Sequence, residues 1–294
     1  MKKRTDEIKR VGLVANAAKV ASRRLVQQAA LLLRRGGCTV ACEAETAQRF
    51  GLTYPTVADA AGLARVVDLI LVFGGDGTML RVAREVGGVS TPILGVKVGG
   101  LGFLTHVPSD KLASALRQVL AGDYGMEDRP LIEASGTTCA RPFLERALND
   151  FVVGRGAASR LGELRVWVDQ EWLTDYRCDG LIVSSPTGST AYSLAAGGAI
   201  VSPQAQVLTI TPICPHTLSN RSVIVGLDAV VKVQVLSERM DTILGADGQV
   251  HLPLTAGDLV EVRRSRAQLR LLCPGGSSFF GTLRGKLNWS GTNV

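Results

Sequence analysis

The segment 66–73 is almost entirely Val, Leu, Ile and Phe, broken only by Asp68, and it runs directly into Gly74-Gly75-Asp76-Gly77-Thr78. Such a run has no polar side to turn to water, so both faces of the strand it forms must be covered, as in a parallel sheet flanked by helices. Glycine ends the strand, and residues 78–86 resume with helical spacing. A buried strand turning through glycine into a helix builds the corner where open α/β sheets bind ligands, beyond the carboxyl ends of their strands. The surrounding chain keeps the same rhythm. Residues 11–15 and 92–96 read as strands, 19–34 as a helix, and 109–120 as a helix opened by Ser109.

Beyond residues 122–129 strands dominate, at 144–153, 161–168, 181–184, 207–211, 230–236, 259–263 and 269–272. Leu164-Arg165-Val166-Trp167-Val168 and Val231-Lys232-Val233-Gln234-Val235 alternate with period two, which predicts sheets with one wet face. A short helical piece interrupts them at 191–197, and residues 277–287 are again helix-like. The expected architecture is an α/β N-terminal domain with an open Rossmann-like sheet over 1–124. A β-rich, β-sandwich-like domain follows over 125–272, and a C-terminal tail, 273–294, returns to the first domain.

Composition excludes several classes. The 33 Lys and Arg exceed the 26 Asp and Glu, giving a net charge of +7, yet they are scattered and only 5% of residues are aromatic. That argues against nucleic acid and for a basic surface suited to small anionic molecules. No apolar run approaches the roughly 18 residues of a spanning helix, so no membrane partner is expected. The charged opening residues carry no export signal, which points to a cytoplasmic protein. Its six cysteines, without a C-x-x-C pair, should then be reduced core thiols. His106, His216 and His251 lie far apart, so no zinc site with ligands at short spacing is expected, and His216 reads as a structural histidine.

Two segments carry chemistry. At the first, Gly74, Gly75, Gly77 and Thr78 shape a phosphate loop. Glycine lets the backbone approach phosphate oxygens, and the helix beginning there contributes its positive end. Asp76 would repel phosphate unless it accepts a proton from an attacking hydroxyl or meets a metal ion. The second segment runs from Asp179 through Ser184-Ser185-Pro186-Thr187-Gly188-Ser189-Thr190-Ala191-Tyr192-Ser193-Leu194-Ala195 to Gly198. Its hydroxyls and glycines suit a nucleotide's ribose and base.

Three further stretches complete a pattern: Gly99-Gly100-Leu101-Gly102-Phe103-Leu104-Thr105, the pair Asn149-Asp150, and Thr211-Pro212-Ile213-Cys214-Pro215-His216. With the two segments above and the ending Leu283-Arg284-Gly285-Lys286-Leu287-Asn288-Trp289, the sequence resembles the bacterial NAD kinase family over nearly its whole length. The resemblance implies phosphorylation of the 2′-hydroxyl of the adenosine ribose of NAD by ATP, giving NADP. Asp76 is then the proton acceptor, and Mg2+ arrives with ATP rather than on a protein ligand set. By the same resemblance Asp76, Gly77, Arg81, Phe103, Asn149, Asp150, Arg177, Asp179, Thr187, Thr190, Ala191, Tyr192, Ser193, Leu194, Ala195 and Gln249 contact NAD. So does Arg160, which in relatives often reaches in from a neighbouring subunit. The chain departs from the family at Asp150, where Glu is frequent, and at Lys97, where Asn is common, which leaves donor preference open. A homo-oligomer, dimer or tetramer, is implied as well. Two alternatives stand beside this reading. A diacylglycerol- or sphingosine-type lipid kinase shares the glycine loop, and a non-catalytic NAD(P) sensor would keep the fold without needing Asp76.

Overall fold

The structure, a computed structural model, describes residues 7–16, 18–100, 102–138, 141–156, 162–217, 219–237, 242–275 and 278–289. The chain divides into two compact units, the first made of Met1–Asp128 with Gln268–Val294 and the second of Arg129–Ala267.

In the first unit β1 (Arg10–Ala15), α1 (Val20–Arg35), β2 (Thr39–Glu43), α2 (Ala44–Phe50), β3 (Thr56–Val57), α3 (Ala60–Val66), β4 (Leu69–Gly74), α4 (Asp76–Val86), β5 (Ile93–Lys97) and α5 (Leu112–Leu120) follow in turn. The five strands pair in parallel in the order β3-β2-β1-β4-β5. Alternation along the strands decides which helix covers which face. Val11, Leu13, Leu69, Leu71 and Phe73 share a core with Val26, Ala30 and Leu33 of α1 and Leu116 of α5. Gly12 faces the other way, where an added Cβ would come within 2.7 Å of Leu63 of α3.

Two boundaries differ from expectation. β4 starts at Leu69 rather than residue 66 because α3 runs through Val66, capped by Asp59, whose carboxylate accepts from the Gly62 amide at 2.7 Å. Asp68 is then held at the strand's entrance by the Arg10 amide, at 2.8 Å, and the Arg10 guanidinium. Likewise Ser109 opens a short 3-10 turn instead of capping a helix. α5 begins at Leu112 with no side-chain cap.

The strands β6 (Tyr124–Thr138) and β17 (Leu259–Pro274) each contribute residues to both units. Between them lie β7 (Arg141–Ala147), β8 (Asp150–Arg155), β9 (Gly162–Val168), β10 (Glu171–Cys178), β11 (Gly180–Ser184), α6 (Tyr192–Ala195), β12 (Val207–Ile213), β13 (Val223–Gly226), β14 (Val231–Val235), β15 (Thr242–Ala246) and β16 (Val250–Leu254), and α7 (Phe279–Leu287) ends the order. In the second unit β13-β12-β11-β8-β15-β16 form one antiparallel sheet. β10-β9-β14-β17 form another. The inward residues of both, Phe151, Val153, Leu181, Ile210 and Leu244 from one and Val166, Val233, Val260 and Val262 from the other, make a single core. That is the sandwich the alternating pattern predicts.

Here too expectation is corrected. The strand expected over 144–153 is two strands, because the amides of Leu148, Asn149 and Asp150 turn away from strand pairing to the Asp247 carboxylate. The two strands expected over 259–272 are one continuous strand. Among the described cysteines, Cys38, Cys42, Cys178 and Cys273 are buried thiols, whereas Cys214 is exposed at a left-handed turn with φ 45°. It is no core thiol, since it stands just past the end of β12. No helix of the described residues is long and apolar enough to cross a membrane.

Candidate active site

In the first unit the strand order reverses between β1 and β4, so their carboxyl ends flank the switch point of the sheet. The Asn16 amide, just past β1, donates to the Phe73 carbonyl there at 2.9 Å. Gly74 has to be glycine at this corner, since a Cβ would collide with the Thr78 hydroxyl folded over it. Gly75 caps α4 by its backbone alone, accepting from the Thr78 and Met79 amides at 3.1 and 3.2 Å. Asp76 and Gly77 form the first turn.

The Asp76 carboxylate is oriented from a second loop. Oδ2 accepts from the Phe103 amide at 2.9 Å and Oδ1 from the Leu104 amide at 3.1 Å. Gly102 permits that approach, because any Cβ there would run into Oδ1. Lys286 of α7 places Nζ 4.0 Å from Oδ2 and 4.8 Å from the centre of the Phe103 ring. The carboxylate stays partly exposed. Each oxygen has a further lone pair for an incoming hydroxyl.

Two lysines stand beside this turn. Lys97 ends β5 in register with Gly74. Lys19, which the sequence reading passed over, donates to the Val98 carbonyl at 2.7 Å, and its Nζ lies 3.7 and 3.4 Å from where Cβ atoms on Gly75 and Gly99 would stand. Its only sequence signal is its place just after β1, at the switch point. Arg81 points elsewhere. Its guanidinium binds Glu43 in bidentate fashion at 2.6 and 3.1 Å and Glu85 at 3.0 Å, which pushes its pKa up.

In the second unit a cavity of about 590 Å³ is lined by Asn149, Asp150, Asp179, Ala191 and Tyr192, all sequence candidates, and also by Arg155, Ile213, Ile243, Asp247 and His251. Asp247 organises it. Held at φ 50°, it receives the Leu148, Asn149 and Asp150 amides on its two carboxylate oxygens at 3.0, 2.8 and 3.3 Å. The Asn149 carbonyl accepts from the Ser185 amide at 2.8 Å and the Ser184 hydroxyl at 3.2 Å. Gly188 packs so close to that carbonyl that no Cβ fits.

The Asp150 side chain is buried, and its pKa is pushed up to about 7, first by desolvation and then by the charge of Asp247. Asp179 pairs with Arg155 at 3.3 Å, beside an exposed Tyr192. Asp247 and Arg155 were missed by sequence reasoning. The Asp247-Gly248 turn offered a signal for the first, while nothing local marks Arg155.

Other candidates do not reach this cavity. Arg177 extends along the sheet surface to Glu163 at 2.8 Å. Thr187 is buried against Arg129, and the Thr190 hydroxyl donates to the Thr187 carbonyl at 3.3 Å. Ser193 is buried against Thr211, whereas Leu194 and Ala195 follow it on α6 and Gln249 is exposed. Arg160 lies outside the described residues. His216 is exposed, its amide donating to the Arg177 carbonyl at 2.9 Å.

Residues 11–124 match the ATP-NAD kinase N-terminal domain and residues 148–273 the ATP-NAD kinase C-terminal domain. The chain belongs to the NAD kinase family. An NAD kinase of Syntrophotalea carbinolica is 41% identical over 286 residues, covering 96% of this chain and 99% of that one. One from Acidovorax ebreus is 43% identical over 278 residues, with 94% and 92% covered. In fold the chain is similar to yeast NADH kinase complexed with NADH, at a TM-score of 0.89, 24% identity and coverage of 99% and 90%. It is also similar to an NAD kinase from Archaeoglobus fulgidus in complex with ATP, at 0.75, 23%, 95% and 98%. The lipid-kinase and sensor alternatives find no support in these matches. As an NAD kinase family member, the chain is a nucleotide-binding phosphotransferase.

Proposed function

We propose that this kinase transfers the γ-phosphoryl group of ATP to the 2′-hydroxyl of the adenosine ribose of NAD, forming NADP and ADP. Family membership over both domains is the observation that carries the reading. Asp76 accepts the hydroxyl proton as the oxygen attacks phosphorus. The Phe103 and Leu104 amides aim its carboxylate and leave lone pairs for the substrate.

Gly74, Gly75, Gly77 and Thr78 shape the loop for the donor phosphates, with Lys19 and Lys97 as cations beside it. Mg2+ enters as the ATP complex and offsets the repulsion between Asp76 and phosphate. Asn149 and Asp150 grip NAD with Asp179, Ala191 and Tyr192, a carboxylate there accepting two ribose hydroxyls. Outside the cavity, the family resemblance alone extends the proposed contacts to Gly77, Arg81, Phe103, Arg160, Arg177, Thr187, Thr190, Ser193, Leu194, Ala195 and Gln249; to make them Arg81 would have to leave Glu43 and Glu85, and Arg177 would have to leave Glu163. A cytoplasmic setting is part of the same proposal. A homo-oligomer, which the family resemblance implies, belongs to it as well.

Purified protein given ATP, Mg2+ and NAD should form NADP, read through an NADP-specific dehydrogenase. Absence of NADP, with NAD still bound by calorimetry, would overturn the reaction.

A further inference from the structure

His106, Glu127 and Cys273 are remote in sequence and belong to three different segments of the first unit: the loop ahead of α5, β6, and the end of β17. The fold gathers them. One ligand atom from each, an imidazole nitrogen, a carboxylate oxygen and the thiol sulfur, all lie within 4.8 Å of one another. Cys273 Sγ and His106 Nδ1 are 3.8 Å apart. Zinc–sulfur and zinc–nitrogen bonds of about 2.3 and 2.0 Å meeting at a tetrahedral angle hold their outer atoms about 3.5 Å apart, so this pair already stands near zinc-ligand spacing. The longer separation within the trio is within reach of Glu127, a half-buried side chain with rotatable bonds to close it.

The donor set also selects the ion. A soft thiolate with an imidazole favours Zn2+ over Mg2+ or Ca2+, which take oxygen ligands. We infer that His106, Glu127 and Cys273 form a three-ligand site for a Zn2+-class divalent ion, with a fourth tetrahedral position open to water. None of the three takes part in phosphoryl transfer as proposed above, so the site stands independently of that reaction.

Its place gives it a consequence. His106 closes the loop whose Phe103 and Leu104 amides aim Asp76, and Val107 is pinned to β5 by the Val107 amide donating to Gly95 at 3.1 Å and the Lys97 amide donating back at 2.8 Å. An ion on His106 ties this loop to β6 and β17.

Full-length protein freed of metal by a chelator and titrated with Co2+ tests the site. The expected result is a thiolate-to-cobalt charge-transfer band with intense tetrahedral d–d absorption, saturating at one ion per chain. Zn2+ should displace the cobalt, and excess Mg2+ should not. Cys273→Ser should abolish the charge-transfer band, His106→Ala and Glu127→Gln should each weaken binding at least about tenfold, and Cys214→Ser, at the exposed thiol, should leave the band intact. No saturable band in the unaltered protein, a band that survives Cys273→Ser, or one lost in Cys214→Ser would overturn the site. Should Cys273→Ser fail to fold, His106→Ala at a half-buried position decides alone, and unchanged affinity there rules the site out.

Discussion

At the scale of single residues, Asp150 carries the sharpest dependence on pH. Its pKa is raised to about 7 by burial and by Asp247, against an ordinary value of 3.8. Above pH 4 the unfolded chain has released this proton while the folded chain keeps it, so this group's contribution to stability falls as pH rises towards 7 and then levels. Unfolding by urea across pH 4 to 8 should show that loss in the wild type. Asp150→Asn should remove it and gain roughly 1–3 kcal/mol at pH 8. Ionisation works the other way on substrate, because only the carboxylate accepts two ribose hydroxyls. The KM for NAD should therefore fall several-fold from pH 6 to 8 in the wild type and stay flat in Asp150→Asn. Gly102 offers a steric counterpart. Gly102→Ala forces a methyl group into Asp76 Oδ1, and should lower kcat by at least about tenfold with NAD affinity retained, by misaiming the carboxylate.

Among the elements, α7 shows how a local cap reaches the site. Ser278 accepts from the Gly281 amide at 3.1 Å, fixing the start of the helix that carries Lys286 to within 4.0 Å of Asp76. Ser278→Ala should cost about 1 kcal/mol in thermal unfolding. Elements with strong patterning were legible in the sequence: the buried run of β4, the glycine corner before α4, and the alternation of β9 and β14. What stayed hidden depended on distant partners. The break between β7 and β8 comes from Asp247, nearly a hundred residues away, and the unbroken course of β17 crosses Arg264-Ser265-Arg266-Ala267-Gln268, a polar stretch that interrupts the apolar pattern. The site divided in the same way. Asp76 and Asn149-Asp150 stood out through their neighbours in sequence, whereas Lys19, Asp247 and Arg155 acquire their roles through remote partners: the Val98 carbonyl, the 148–150 amides and Asp179.

For the whole molecule, a net charge of +7 meets substrates that are all anions. Long-range attraction of this kind is screened over about 10 Å at 0.1 M salt, so kcat/KM for NAD should fall several-fold between low and 0.2 M ionic strength, with kcat little changed. The two units bring different parts of the chemistry, the first the glycine corner with its oriented carboxylate and the second the cavity around Asn149 and Asp150. Both are required if the chain is to phosphorylate NAD with Asp76 as the proton acceptor. Steady-state turnover of Asp76→Asn, measured beside its affinity for NAD by calorimetry, tests that most directly. The account predicts near-normal affinity with turnover reduced by about 10²–10⁴-fold, since shape is kept while charge and proton acceptance are lost. Turnover within a few-fold of the unaltered enzyme would contradict it.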